Sequence, residues 1–457
     1  MESISRKMAR FARSLRYQDI PDSARTAAKR FLLDSAGCAL AALDLPDMRS
    51  VHDYVQTLGG REQATVIGYG TKTNMPNAAL MNSILIRAMD YNDVYWKQDP
   101  SHPSDIIPAV LAPAEFRGLS GRELITGIVI AYELEMRMCL AATPGIREAG
   151  WHHASLTQFV SPLAAGRMLD LTEDELVAAT GISGSSHFTL GGVVAGHLTN
   201  MKNAADPLAV EAGVRAAILA SHGFTGPVEV FEGKEGLFEV LSGVEWNSDS
   251  MVDGLGERFI ITECGFKAFP AEALTHQPIT AAIELAEEYE IDPREVEEIL
   301  VETTTRGADI LSDPSKYRPT TKETADHSLP YCIAVAVARR NVLPSDFEEK
   351  ALQDPLVLEL LSKIKVVANP GIDRLFPQIK KAIVSIKTRD GTVRRKEEDF
   401  ARGEPERPLS GEDITAKFHA NARLIDESQR EELIRATMEI EKVASVRDYV
   451  PLLRRRS

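Results

Sequence analysis

The sequence predicts a mainly α protein, a large all-helical domain with an inserted, smaller α+β domain. Three observations carry this expectation. From the start to about residue 265, segments with apolar residues at three- and four-residue steps follow one another, separated by short Gly, Pro and Asp breaks. Between about 266 and 398, β-branched and alternating stretches appear, with a strong hairpin turn among them. After the polar run 402–408 the helical pattern returns from Gly411 to the end. The expected domains are 1–265 with 399–457, and 266–398, and their junctions are hinge candidates.

In chain order, Pro21-Asp22 opens a helix through Ala24, Ala28, Phe31, Leu32, Ala36, Leu40 and Leu43. Further helices are expected over 106–116, 122–140, 158–169, 173–180 and 204–221. Most are rich in alanine, which permits close helix approach. In the inserted domain a helix over 279–289 precedes a strand over 296–304, and a second helix spans about 323–339. Residues 364–368 read as a strand, and 382–388 joins 392–394 through Asp390-Gly391, a two-residue hairpin signal.

A chain of 457 residues is too long for a lone binding module, and 44% hydrophobic with 26% charged residues suffices for a sizeable core. The 52 Lys+Arg against 67 Asp+Glu give a formal charge of −15, which argues against a nucleic-acid or anionic-membrane footprint. An anionic substrate must then find a local cluster of cations. Cys38, Cys139, Cys264 and Cys332 stand far apart, so neither a disulfide framework nor a zinc knuckle is expected, and a reducing cytoplasm fits. Arg10, Arg13 and Arg16 interrupt the N-terminal segment, so no secretion signal is expected there. The longest apolar run, 124–132, falls far short of the roughly 20 residues of a membrane span and reads as a buried helix.

The most unusual string runs from Ala88 to Asp105, where carboxylates, aromatics and a histidine share a loop between two helices. A carboxylate able to reach His102 would hold its tautomer and raise its basicity, as a proton-transfer pair requires. A capped loop accounts for the same string, with Asp93 as a turn residue and Ser104-Asp105 as a helix start. Gly150-Trp151-His152-His153 places histidines at another helix entrance, where the local dipole favours a neutral base; an aromatic staple explains it equally. Two adjacent histidines without a second pair at metal-binding spacing argue against zinc or iron, so neither metal nor cofactor is expected. Lys202 opens the Ala-rich helix after Gly191-Gly192-Val193-Val194-Ala195-Gly196. A cation there is misplaced unless an anion arrives, and the glycines do not fit a dinucleotide fingerprint. Lys267, Glu272 and His276 stand at the domain junction, at the mouth of any cleft between the domains. Tyr331 begins the inserted domain's second helix after Asp326-His327-Ser328, where a satisfied core tyrosine is the alternative to a catalytic phenol.

These strings, in this order, resemble the MmgE/PrpD family, which includes 2-methylcitrate dehydratase, cis-aconitate decarboxylase and iminodisuccinate epimerase. The resemblance rests on Asp90-Tyr91-Asn92-Asp93 with His102-Pro103-Ser104-Asp105, Gly150-Trp151-His152-His153, Gly223-Phe224-Thr225-Gly226-Pro227, the Lys267 to His276 string, and Asp326-His327-Ser328 with Tyr331. It implies a helical domain with an α+β lid, a homodimer, and a small polycarboxylate as the partner molecule. The implied site has Asp90, His102, His153 and Tyr331 as catalytic residues, with Lys202, Lys267, Glu272, His276 and His152 binding substrate; which of His152 and His153 acts stays open. The sequence departs at Val94, where the family usually has threonine, and at Glu272, where the decarboxylases carry histidine. The Pro-Ala-Glu form is similar to the dehydratases. The resemblance therefore implies a metal-independent hydro-lyase for a hydroxylated di- or tricarboxylate such as 2-methylcitrate. Its alternatives are a cis-aconitate-type decarboxylase, an iminodisuccinate-type epimerase, and, on the strength of Val94, a non-catalytic binding protein.

Overall fold

The computed structural model describes residues 2–195 and 198–455, so Gly196 of the small-residue run lies outside them. The fold is mainly α, and the chain divides into two units. Among the described residues the first comprises 2–194, 200–264 and 410–455; the second comprises 195, 198–199 and 265–409.

In the first unit the helix Met75–Arg87 is buried at every position. The Asn74 side chain caps it, accepting the Asn77 N–H at 2.9 Å, and Pro76 sits in its first turn, where no N–H is needed. It packs against Asp22–Ala42, Ile107–Arg117 and Ala205–Ser221. Ala205–Ser221 also packs against Ala154–Met168, where a small residue sets the distance: a Cβ on Gly213 would lie 2.1 Å from the Ser161 hydroxyl. The helix Gly121–Ala141 contains the apolar run 124–132 and is buried along it. Among the described residues no helix is long and apolar enough to cross a membrane. All four cysteines are buried, and among the described residues none forms a disulfide.

The first unit is not wholly helical, which corrects that expectation. Short antiparallel ribbons pair Ala64–Thr65 with Lys72–Thr73, Asp93–Trp96 with Pro100–Ser101, and Ala142–Thr143 with Glu245–Trp246. The middle ribbon lies inside the 88–105 string. Its turn is pinned by Asp99, whose carboxylate accepts the N–H groups of Ile146 at 2.8 Å and Arg147 at 3.3 Å. Backbone groups in a buried loop need partners, and a ribbon supplies them to itself.

The second unit holds a four-stranded sheet in the order Val393–Glu398, Ala382–Thr388, Val296–Thr303, Ile364–Ala368. The first two pairings are antiparallel and the last is parallel. Gly391 takes φ +84° in the hairpin turn, and the Asp390 carboxylate accepts the Thr392 N–H at 3.0 Å. The parallel pair needs a long crossover, which the helical segment between Thr303 and Ile364 provides. The helix expected over 323–339 is two helices, Lys322–Ala325 and Leu329–Arg339. Ser328 caps the second, accepting the Tyr331 N–H at 3.0 Å, and Pro330 in its first turn cannot continue a helix from before it. The second unit runs to Leu409 because the polar segment 402–408 joins it. The Phe266 N–H donates to the Gly403 carbonyl at 2.9 Å, and Gly403 has φ +100° with room for no side chain against the Phe266 carbonyl.

Candidate active site

Arg87 ends the buried helix Met75–Arg87, and the chain turns sharply after it through Asp90, at φ +49°. A left-handed aspartate is uncommon and costs on the order of 1 kcal/mol or more, so packing must hold it. Its carboxylate meets Arg87 Nη1 at 2.5 Å and Lys202 Nζ at 3.4 Å. Arg87 Nε also faces Asp105 Oδ2 at 3.7 Å. Lys202 is fully buried in the short turn Asn200–Asn203, just before Ala205–Ser221 rather than within it.

The loop between Asp90 and Asp105 closes on Asp93, whose carboxylate accepts the Ser104 N–H at 3.0 Å and the Ser104 hydroxyl at 2.6 Å. Asp93 begins the strand Asp93–Trp96 and is not a turn residue, which corrects that part of the capped-loop reading; its side chain instead caps the start at Ser104. Burial pushes its carboxyl up to about 6, against the Ser104 bonds that lower it. The Asp93 carbonyl accepts from His102 Nδ1 at 2.6 Å. This corrects the expected orienting group: a backbone carbonyl holds His102, while Asp90 faces Arg87 and Lys202. A carbonyl only accepts, so Nδ1 carries hydrogen and Nε2 is the basic nitrogen of the neutral ring.

His153 precedes the helix Ala154–Met168, and its ring stands edge-on to His102 with centroids 5.7 Å apart. His153 Nε2 faces Asp206 Oδ2 at 3.2 Å. Asp206 lies in the first turn of Ala205–Ser221, where the helix dipole favours a negative charge. Burial raises its pKa, but His153, then His152 and Arg87, overcome that and hold the carboxyl well below the usual range. Asp105 is driven the other way, chiefly by burial and then by Asp206, with Arg87 opposing. His152 is pushed well down by burial and by His153, and its Nδ1 accepts the Ala154 N–H at 3.2 Å. That bond ties His152 to the helix entrance.

Asp90, His102, His153 and Lys202 thus stand in one chain of contacts that also includes Arg87, Asp105 and Asp206. The donor atoms of His152, His153 and Asp206 lie within 4.8 Å of one another. The rings of His152 and His153 lie with centroids 3.9 Å apart at a 34° tilt. Arg87, Asp105 and Asp206 were not singled out from the sequence as site residues. The i, i+3 spacing of Arg87 and Asp90 at the end of an apolar run was the available signal; Asp206 reads locally as an ordinary first-turn aspartate.

In the second unit Lys267 is fully buried, and His276 opens the helix His276–Glu288 with its Nε2 3.2 Å from the Ala271 carbonyl. The Glu272 carboxylate accepts the Leu274 N–H at 2.6 Å, and the Glu272 N–H donates to the Asp326 carbonyl at 2.9 Å. Two of the strings that carry the resemblance therefore meet. The Asp326 carboxylate holds His327 Nδ1 at 2.6 Å and Lys322 Nζ at 2.8 Å. Tyr331 donates its hydroxyl to the Asp346 carbonyl at 2.5 Å, and burial pushes the phenol well up. In this structure that phenol serves the packing of its own unit.

The first unit of this mainly α fold thus gathers two neighbouring imidazoles, buried carboxylates and two cations that pair with Asp90. The MmgE/PrpD N-terminal domain matches residues 6–248 and the MmgE/PrpD C-terminal domain matches residues 269–441, and the chain belongs to the MmgE/PrpD family. It is 24% identical over 479 residues to cis-aconitate decarboxylase of Aspergillus terreus, covering 98% of this chain and 96% of that protein. It is 24% identical over 405 residues to 2-methylcitrate dehydratase of Cupriavidus necator, covering 83% and 81%. With cis-aconitate decarboxylase of Mus musculus it shares 24% over 473 residues, covering 99% and 93%.

Proposed function

We propose that this protein is a metal-independent hydro-lyase that dehydrates a small hydroxylated di- or tricarboxylate of the 2-methylcitrate type. One observation carries the reading: His102 and His153, two imidazoles with opposite support, stand with ring centroids 5.7 Å apart, in the same unit as the Arg87–Asp90–Lys202 cluster. The carbon acid next to a carboxylate is weak, so the dianion that develops needs fixed positive charge. Lys202 and Arg87 supply it. His102, with Nδ1 on the Asp93 carbonyl, takes the carbon-bound proton at Nε2. His153, oriented by Asp206, gives a proton to the departing hydroxide, and the electron pair of the broken C–H bond becomes the new double bond. The Pro-Ala-Glu string, whose Glu272 caps a turn of its own chain, supports dehydration.

A decarboxylase is the second reading, favoured by the likeness to the Aspergillus terreus cis-aconitate decarboxylase along nearly the whole chain. Incubation with 2-methylcitrate, citrate and cis-aconitate in D₂O, followed by proton NMR and a carbon dioxide assay, separates the two. Dehydration gives an olefinic proton or methyl without loss of carbon. His102→Ala should lower turnover by about 10²- to 10⁴-fold; wild-type turnover by that variant sinks the mechanism. The family likeness also leads us to propose a homodimer, which light scattering of the purified protein tests.

A further inference from the structure

Beside the imidazole pair lies a set of polar groups that the proposed reaction does not use. Glu135, in the helix Gly121–Ala141, is fully buried. Its Oε1 accepts the Ser101 hydroxyl at 2.7 Å and the Thr157 hydroxyl at 2.9 Å. The same Thr157 hydroxyl lies 3.3 Å from Asp206 Oδ1, and the other oxygen of Asp206 faces His153. Thr157 owns one hydrogen and has two acceptors, so it can serve Glu135 or Asp206 but not both fully.

We propose that Glu135 and Thr157 form a switch that sets the basicity of His153 by deciding whether Asp206 receives the Thr157 hydrogen. The inference rests on the reading of His153 as the proton donor, and it makes Glu135 and Thr157 positioning residues. When Glu135 carries a proton, that proton bonds to the Thr157 oxygen and the Thr157 hydrogen turns to Asp206. Asp206 is then a weaker acceptor for His153. When Glu135 is ionised, Thr157 turns back to it, Asp206 loses a donor, and the His153 imidazolium is held more tightly. The new charge on Glu135 acts in the same direction. One proton enters or leaves Glu135 and one hydroxyl rotates; no other bond changes.

Burial pushes the Glu135 carboxyl up to about 8, against the Ser101 and Thr157 bonds, which places the change near neutral pH. Glu135 is faced by Asp206 from Ala205–Ser221, by Asp93 from its ribbon, and by Cys139 on its own helix. His102 and His152 stand against His153, and Asp99 acts on it electrostatically. Arg87 and Asp105 act on Asp206. All of these remain in place when the Thr157 hydroxyl turns.

The test is an NMR titration of the His153 ring in the full chain without substrate. In the wild type we expect two steps, the second following Glu135. Glu135→Gln should leave only the first step. Thr157→Val should raise that first step by about one unit. Ser101→Ala, which removes the second hydroxyl donor from Glu135 and leaves Thr157 in place, should move only the second step. An unchanged His153 curve in both Glu135→Gln and Thr157→Val overturns the switch; if Thr157→Val does not fold, Glu135→Gln and Ser101→Ala decide it. The readout needs no turnover, so failure of every polycarboxylate as substrate would remove the dehydratase reading without touching this result.

Discussion

Replacing Lys417 with methionine tests how the C-terminal helix supports the loop that bears Asp90. Lys417, on the helix Gly411–Asn421, is buried with its Nζ 2.8 Å from Asp34 Oδ1 and donating to the Tyr91 carbonyl at 2.6 Å. The ammonium also lies 4.0 Å over the Tyr91 ring. Burial already raises the Asp34 carboxyl, and Lys417 is what opposes that rise. Methionine keeps the stem and removes the charge, leaving a buried carboxylate alone, which costs about 3–5 kcal/mol. The first unit has roughly 300 residues, so its unfolding entropy is about 0.6 kcal/mol/K at about 2.1 cal/mol/K per residue, and Tm should fall by about 5–8 °C. Asp34→Leu combined with Lys417→Met should recover much of the loss, because an apolar pair leaves no stranded charge. Turnover should fall in the single variant, since the neighbour of left-handed Asp90 has lost its anchor. Calorimetry of wild type, single and double variants decides this. A single variant that melts with the wild type, or a double variant no more stable than the single, refutes the reasoning.

Gly121→Ala sets helix propensity against packing. Alanine gains up to about 1 kcal/mol in a helix, yet its Cβ would lie 1.7 Å from the Ile440 carbonyl, so urea denaturation should show a loss instead of a gain. Glu135 has a raised pKa in the folded state, so its contribution to stability is complete below about pH 4.5 and is lost as pH rises through about 8. Denaturation at pH 5 and pH 8 should therefore show Glu135→Gln losing roughly 4 kcal/mol less than the wild type across that range. Tyr331→Phe strands the Asp346 carbonyl and should cost about 1–3 kcal/mol with turnover little changed. A fall of about 10²-fold or more at unchanged stability would instead make the phenol catalytic.

Helices with one polar face were readable from spacing, and 205–221 is found within a residue of its expected start. Met75–Arg87 has no polar face, because every residue is buried, so its pattern carries no helical period and it was not singled out. The break at 326–328 escaped because the apolar residues of its two helices read as one run; Ser328 and Pro330 mark it only once the cap is seen. At the site, Asp90, His102, His153 and Lys202 announced themselves as polar residues in unusual strings. Arg87, Asp206 and Glu135 did not, since each looks ordinary on its own helix and acquires its partners only when the helices pack.

By itself the chain's order of residues determined the mainly α character, the position of the sheet-bearing insertion, and the strings that place it among MmgE/PrpD proteins. Those follow from interactions between residues close in sequence, where period, caps and turns act. Only tertiary structure decided that His102 answers to a carbonyl, that His153 answers to Asp206, and that Asp90 sits between two cations. Such assignments depend on which buried groups face each other across helices, and burial sets the energy of every one of them.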